Sequence, residues 1–364
     1  MDVTLFLNHA CNMACTYCYN GNKFHRPMSE EIMRRAVEMA FFGTDARISF
    51  FGGEPLLEWE MMQRAIAHAR DLEKNKYEDK IPVRFSMTTN GTLVSKEVLE
   101  ILKNERFHLV FSLDGNRESH ERTRNFANGA SSYDVIVNNL ERAVKAIPSV
   151  ETISVVDPQN AELIPESFES IMSLGVKNLN FSLNYEAEWT DDQLATLEHS
   201  LDRLVDIYIA KYREGIDFAL DLFDSKVITH LKGGYACRDR CKFGKEELCV
   251  APSGMLYPCE RLVGEDTRHD VTIGDIWKGP DLQKVVEMGK KKDEPDAECV
   301  DCKLQHRCMF WCGCVNYATT GNVGETSGIL CKLEQMAIAA ADRAAGTLFT
   351  EENPMFIGKF YCAS

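Results

Sequence analysis

The stretch Val3–Asn20, VTLFLNHACNMACTYCYN, decides how the chain is read. VTLFL is a compact apolar run, the signature of a buried strand. The loop that follows spaces Cys11, Cys15 and Cys18 as C-x-x-x-C-x-x-C. Three thiolates on one tight loop suit three irons of a cubane and leave the fourth iron open, whereas an electron-transfer cubane usually takes four cysteines. A zinc loop is the alternative on spacing alone, although zinc sites usually draw their cysteines from C-x-x-C pairs.

Outward from this stretch, apolar runs and amphipathic segments alternate to about residue 184. Strands are expected at Val3–Leu7, Arg47–Phe51, Val83–Gly91, His108–Leu113, Glu151–Val156 and Val176–Leu183. Helices are expected at Glu30–Phe42, Glu58–Leu72, Lys96–Leu102, Val135–Ile147 and Leu163–Leu174. Such strand–helix repeats imply parallel pairing with right-handed crossovers, in an open doubly wound sheet or a partial barrel. A long charge-rich helix is expected from Thr190 to about Ile216. Ten of the 14 cysteines then lie between Cys237 and Cys331, among many glycines and few long periodic segments. Apolar burial alone does not hold such a region together, and metal is the expected staple. Lys332–Leu348 reads as a closing helix and Phe349–Ser364 as a short tail. The domain lines fall at 1–185, 186–236, 237–335 and 336–364.

The 364 residues carry 41 Lys and Arg against 56 Asp and Glu, a net charge of −15. That balance argues against nucleic acid or an anionic membrane as partner. No 18-residue apolar run marks a membrane span, and the N-terminus lacks the pattern of a secretory signal. A cytoplasmic location is therefore expected, and with it cysteines that bind metal rather than form a disulfide framework.

CNMACTYCYN, with Tyr17 just before the last cysteine, resembles the signature of the radical S-adenosylmethionine (SAM) enzymes. The resemblance extends to GGEP at Gly52–Pro55, TTNG at Thr88–Gly91 and SLDG at Ser112–Gly115, over about residues 1–185. It implies a partial (β/α)6 TIM-like barrel with its ligands beyond the carboxyl ends of the strands. It also implies a [4Fe-4S] cluster on Cys11, Cys15 and Cys18 whose open iron SAM chelates. Tyr17 would pack near adenine, and the carbonyls of Gly52 and Gly53 would accept from the SAM ammonium, which Glu54 would complement. Thr89 and Asn90 belong to the same site, with Ser112 and Asp114 near the ribose and Arg124 near the SAM carboxylate. Plainer readings stand beside these: Glu54 as a carboxylate at a helix N-terminus, Tyr17 as a core ring, Arg124 as a solvated charge.

Cys241-x12-Gly254-x4-Cys259, Cys299-x-x-Cys302-x5-Cys308-x3-Cys312 and Cys331 together resemble the seven-cysteine SPASM domain of peptide maturases. The resemblance implies two auxiliary cubanes and so three [4Fe-4S] clusters in all. Cys299, Cys302, Cys308 and Cys331 would hold the distal one, and Cys241, Cys259 and Cys312 the proximal one. Cys249 is the expected fourth proximal ligand, with Cys237 or an open iron as alternatives. Cys314 is read as a buried bystander and Cys362 as a free thiol. Glu260, directly after Cys259, stands where sulfatase-maturating relatives carry an acid that acts as general base, here Glu rather than Asp. An exposed carboxylate is the plainer reading.

A small cysteine-rich iron–sulfur domain and a closing helix thus follow the barrel. The resemblance implies a maturase that abstracts hydrogen from a peptide and installs a thioether or carbon–carbon crosslink in a ribosomally made precursor. One alternative is an anaerobic sulfatase-maturating type that forms formylglycine. Another, a non-catalytic iron–sulfur electron carrier, explains the late cysteines but neither GGEP nor the three-cysteine loop. Expected partners are the peptide or protein substrate and a one-electron donor such as flavodoxin or ferredoxin. Because the first strand starts at residue 3, leader-peptide recognition is expected from a separate protein, or from the barrel rim and the Thr190–Ile216 helix.

Overall fold

The computed structural model describes residues 1–43, 45–77 and 82–361. The chain begins β1 (Asp2–Phe6), α1 (Glu30–Ala40), β2 (Arg47–Phe51), α2 (Trp59–Lys76), β3 (Arg84–Thr89), α3 (Lys96–Asn104) and β4 (His108–Ser112). It continues α4 (Arg117–Thr123), α5 (Tyr133–Ala146), β5 (Glu151–Val156), α6 (Ile164–Ser173), β6 (Asn178–Leu183), α7 (Asp191–Arg213), β7 (Ala219–Leu220) and α8 (Asp221–Leu231). The remainder holds β8 (Glu247–Val250), β9 (Leu256–Tyr257), the small pair β10 (Gly274–Asp275) and β11 (Gly279–Pro280), and α9 (Leu282–Asp293). It ends with α10 (Ala297–Val300), α11 (Gly313–Thr320), α12 (Gly328–Thr350) and α13 (Pro354–Phe360). Cα packing groups these elements into two compact units.

The first unit comprises Met1–Ser112, Asn125–Ile147 and Cys241–Asp293. Its strands run in the order β4-β3-β2-β1-β8-β9. All neighbours are parallel except the β8–β9 hairpin. β1 is flanked on both sides, Asp2 facing Arg47 of β2 and Glu247 of β8. Parallel strands covered on both faces read as near-continuous apolar runs, which is why VTLF and ISFF carry so few polar residues. Val3, Leu5, Phe6, Ile48 and Phe50 are accordingly buried. Ser29 caps α1 by accepting from the Ile32 amide, and Ser95 caps α3 from that of Val98.

The second unit comprises Leu113–Arg124, Pro148–Arg240 and the chain from Glu294 onward. Its strands run β7-β6-β5, all parallel. α7 packs against α6 and α12, and α12 also against α8. A capping box of Thr190 and Gln193 starts α7, whose Leu197, Leu201, Leu204 and Tyr208 are buried.

Several elements differ from expectation. The cysteine-rich segment sends β8 to pair with β1, a partner some 240 positions away in the chain. α4, α8, α9 and α13 form where no helix was expected. α12 begins at Gly328 rather than Lys332, because Ser327 caps it from the Leu330 amide, and so Cys331 lies within the helix. Glycine and cysteine hide the apolar period in that turn. In the tail, Asn353 caps α13 and Phe356 is buried, while Cys362 lies outside the described residues. Among the described residues no helix is long and apolar enough to cross a membrane.

Candidate active site and cluster ligands

The cysteine loop leaves the sheet at Leu7 and returns to it there. The Leu7 amide donates to Phe51, extending the β1–β2 ladder, and the Leu7 carbonyl accepts from Met28 at 2.7 Å. Asn8 closes the loop's neck: its Oδ1 accepts from the amides of Ala10 and Arg26, each at 3.0 Å, and its Nδ2 donates to Glu58. Between these anchors the Cys18 amide donates to the Cys15 carbonyl, a tight turn, while Ala14 and Ala127 pair with Asn125 and Asn12. Cys11, Cys15 and Cys18 are all half-buried. Burial pushes the Cys11 thiol up to about 11, and the Glu54 carboxylate and the other two thiols add to that effect. Holding three thiolates in such a place would need compensating positive charge, as a metal centre would provide. Lys23 contributes some, its Nζ 2.9 Å from Cys18 Sγ.

The two glycines of GGEP serve this loop directly. A Cβ on Gly53 would fall 2.1 Å from the Ala10 carbonyl oxygen, and one on Gly52, at φ +142°, 2.6 Å from that of Asn8. Their closeness lets Gly53 and Glu54 donate to Asn8 and Ala10 at 2.8 and 3.0 Å. The Gly52 carbonyl itself accepts from the buried Asn20 side chain at 2.9 Å. Glu54, 1% exposed, accepts from Thr89 Oγ1 at 2.7 Å, the Asn90 amide at 2.7 Å and the Leu56 amide at 3.1 Å. It is therefore both the cap of the Pro55–Glu58 turn and the tie between GGEP and TTNG. Asn90 reaches Asn12 Oδ1 at 2.8 Å. Tyr17 is half-buried on the loop, and Ser112 is buried at the carboxyl end of β4.

In the second unit, Asp114 is buried with both carboxylate oxygens engaged, one by Thr123 Oγ1 at 2.8 Å and one by the Val155 amide at 3.0 Å. Arg124 ends α4 and is buried rather than solvated. His120, between them in sequence, is fully buried, and that burial, with Arg124 and Arg117 nearby, lowers its pKa to about 3.

The first unit also holds Cys241, Cys249 and Cys259. Gly254, at φ +85°, turns β8 into β9 and places Cys259 just past the hairpin. Cys241 Sγ lies 2.6 Å from Glu247 Oε1. Cys249 is fully buried in β8 opposite Tyr257, with Glu260 and Asp266 the charged groups acting on its thiol. Glu260 is half-buried, and desolvation raises its carboxyl pKa. The Tyr19 hydroxyl feels Glu260, Arg261, Cys259 and Cys18 together, and the Arg261 guanidinium lies 4.4 Å from the Tyr19 ring centre. The cysteine loop and the Cys259–Arg261 turn therefore meet at Tyr19. Sequence reasoning missed Asn8, Asn20, Tyr19 and Arg261, since nothing in their spacing marks them.

Cys299, Cys302, Cys308 and Cys331 all lie in the second unit. Cys302 donates its amide to the Cys299 carbonyl at 3.1 Å, and the Cys308 amide bonds Leu304 at 2.9 Å, so two tight turns carry three of the thiols. The Cys299 thiol feels those of Cys331 and Cys302, and Cys308 that of Cys331, which gathers all four into one neighbourhood. Four thiols gathered in this way are a donor set that suits a cubane, with Asp296 and Glu334 the carboxylates acting on them. Cys312, at the start of α11, has its Sγ 3.6 Å from that of Cys314, and Cys237 is exposed. Among the described residues no three His, Cys, Asp or Glu side chains stand close enough to share one metal ion. A cubane asks less, since each thiolate binds a separate iron.

Comparison with known proteins bears on the same residues. Positions 5–171 match the Radical SAM superfamily, and positions 241–303 match SPASM, an iron–sulfur cluster-binding domain. The radical SAM cyclopropyl synthase TigE of Paramaledivibacter caminithermalis is 21% identical over 343 residues, 85% of this chain and 67% of that protein. A cysteine-type anaerobic sulfatase-maturating enzyme of Clostridium perfringens is 24% identical over 328 residues, 83% of this chain and 85% of that one. The solved structure of native anSMEcpe with bound AdoMet has a TM-score of 0.80 at 20% identity, covering 96% of this chain and all of that one. The two share a fold, and the expected barrel followed by a cysteine-rich domain is that fold.

Proposed function

The chain belongs to the radical SAM superfamily and carries a SPASM iron–sulfur domain, and on that premise we propose that it matures a peptide or protein by two-electron oxidation of a side chain. That membership makes it an enzyme and sets aside the non-catalytic electron carrier. The observation that carries the reading is Arg261 lying over the Tyr19 ring at 4.4 Å, which sets its chain neighbour Glu260, a desolvated carboxyl, near the loop that carries Cys18. The cluster and SAM, when bound, would supply the one-electron chemistry that removes a hydrogen atom from carbon. Cys11, Cys15 and Cys18 would hold that cluster, with Tyr17, Gly52, Gly53, Glu54, Thr89, Asn90 and Ser112 around the cofactor. Glu260 would take the proton that leaves the substrate as its second electron departs, and a raised pKa suits a base working near neutrality. Tyr19 and Arg261 would hold that carboxylate in place. Cys241, Cys249 and Cys259, and separately the four distal thiols, would hold two auxiliary clusters, the electron-accepting sites such an oxidation needs.

The expected product is a thioether or carbon–carbon crosslink, with a flavodoxin- or ferredoxin-like electron donor. Formylglycine formation is the second reading, favoured by the position of Glu260 immediately after Cys259 and by the sulfatase-maturating relative. Anaerobically reconstituted, reduced protein incubated with SAM and candidate peptides tests both by mass spectrometry. 5′-Deoxyadenosine should form, and Cys15→Ala should abolish it while the auxiliary iron remains. Iron-loaded protein that forms none above background would overturn the proposal. A peptide lighter by two hydrogens marks a crosslink, and an aldehyde marks formylglycine. Glu260→Gln should still cleave SAM but yield no modified peptide.

A further inference from the structure

Behind the distal thiols lies a charged group that radical chemistry does not use. Lys226 on α8 and Glu334 on α12 form a bidentate ion pair at 3.0 and 2.8 Å, with side chains only 6% and 2% exposed. Glu334 Oε1 also accepts from the Tyr185 hydroxyl at 3.1 Å, and Oε2 from the Met309 amide at 3.0 Å. Met309 directly follows Cys308, and Glu334 lies three residues beyond Cys331 on the same helix, so the two side chains share a face. One carboxylate therefore joins the Cys308 turn to the Cys331 helix. α8 grips the same turn a second time, since the Lys226 carbonyl accepts from Arg307 Nη2 at 3.1 Å. Arg307 is itself neutralised by Asp342 at 2.6 and 2.9 Å.

Stability alone is a weak reason for such a pair, because apolar residues of similar volume often replace a buried ion pair without loss. Its charges sit beside the thiols: Glu334 binds the residue that follows Cys308 and shares a helix face with Cys331, and Lys226 binds Glu334. Groups one layer behind the ligands orient them, and net charge and hydrogen bonding set cluster potentials. We propose that Glu334, Lys226 and Tyr185 form the positioning network of the distal cluster site, holding Cys308 and Cys331 in register and setting the potential of the cluster they bind. The proposal rests on those four thiols holding a cluster.

The test uses full-length, anaerobically reconstituted protein carrying Cys15→Ala, so that the SAM cluster does not obscure the auxiliary signals. Iron and sulfide content and a redox titration followed by electron paramagnetic resonance are read for each variant. Glu334→Gln, which leaves the ammonium uncompensated, should move the midpoint of one auxiliary cluster upward. Lys226→Met should move the same midpoint downward or empty that site alone, with Lys226→Arg restoring occupancy. Full iron with unmoved midpoints in both Glu334→Gln and Lys226→Met would overturn the proposal. Should either variant unfold as a whole, Tyr185→Phe decides, since it removes only a hydroxyl that donates to Glu334 and lies 3.5 Å from Met309 Sδ, and leaves both charges in place. An unchanged midpoint and occupancy there would likewise overturn it. Protein carrying Cys308→Ala alone that keeps as much iron as wild type would remove the distal site itself, a failure distinct from that of SAM cleavage.

Discussion

Glu54 ties two motifs with one carboxylate. Its three hydrogen bonds come from a hydroxyl and two backbone amides, so a glutamine there turns an NH2 toward donors and leaves at least one of them unpaired. Glu54→Gln should lower stability by about 1–3 kcal/mol in denaturant unfolding and reduce 5′-deoxyadenosine formation. His120 gives a pH signature. Its folded pKa is lowered, so the unfolded chain binds the extra proton first. The stability it contributes is present above the unfolded value near 6.5 and is lost as pH falls toward about 3. Melting temperature should therefore drop from pH 7 to pH 5, and His120→Gln should flatten that slope. The cysteines and the GGEP glutamate were legible because their chemistry is carried by residue type and spacing. Asn8 and Tyr19 were not, because a lone asparagine or tyrosine says nothing until its partners are known.

At the scale of elements, the cysteine loop depends on the turn after β2. Gly53→Ala sets a methyl 2.1 Å from the Ala10 carbonyl, a contact only backbone movement relieves. Loss of iron from the three-cysteine site is expected, read as lost SAM cleavage with the auxiliary iron retained. In the second unit, Thr190→Ala removes the N-cap of α7 and should cost about 1 kcal/mol, visible as a lower melting temperature with SAM cleavage unchanged. The strands from β1 to β6 were legible in order because their apolar runs are local. α8 and α9 were not, since cysteines, lysines and glycines nearby blur the helical period.

At the scale of the whole molecule, ten cysteines crowd into the span from Cys237 to Cys331, which joins residues of both compact units. Its strands are short, β8 of four residues and β9 of two, so cluster binding is expected to add to its folding free energy. Limited proteolysis of iron-free protein should cut first between residues 237 and 331, and reconstitution should protect those bonds. First cuts inside Met1–Ser112 would show that the barrel strands depend on iron more than the cysteine-rich region does.

Residue type and spacing along the chain determined the succession of strands β1 to β6, the three-cysteine loop, the motifs at strand ends and the SPASM cysteine pattern. Each of these is written in near neighbours, where periodicity and ligand spacing act. Tertiary structure alone decided that β8 lies beside β1, that Glu54 binds TTNG, that Tyr19 meets Arg261, and that Lys226 reaches Glu334 across 108 residues. The reason is physical. Closing a long loop costs little more than closing a moderate one, so distant partners are chosen by burial and by unsatisfied hydrogen bonds. Neither quantity exists until the chain has folded.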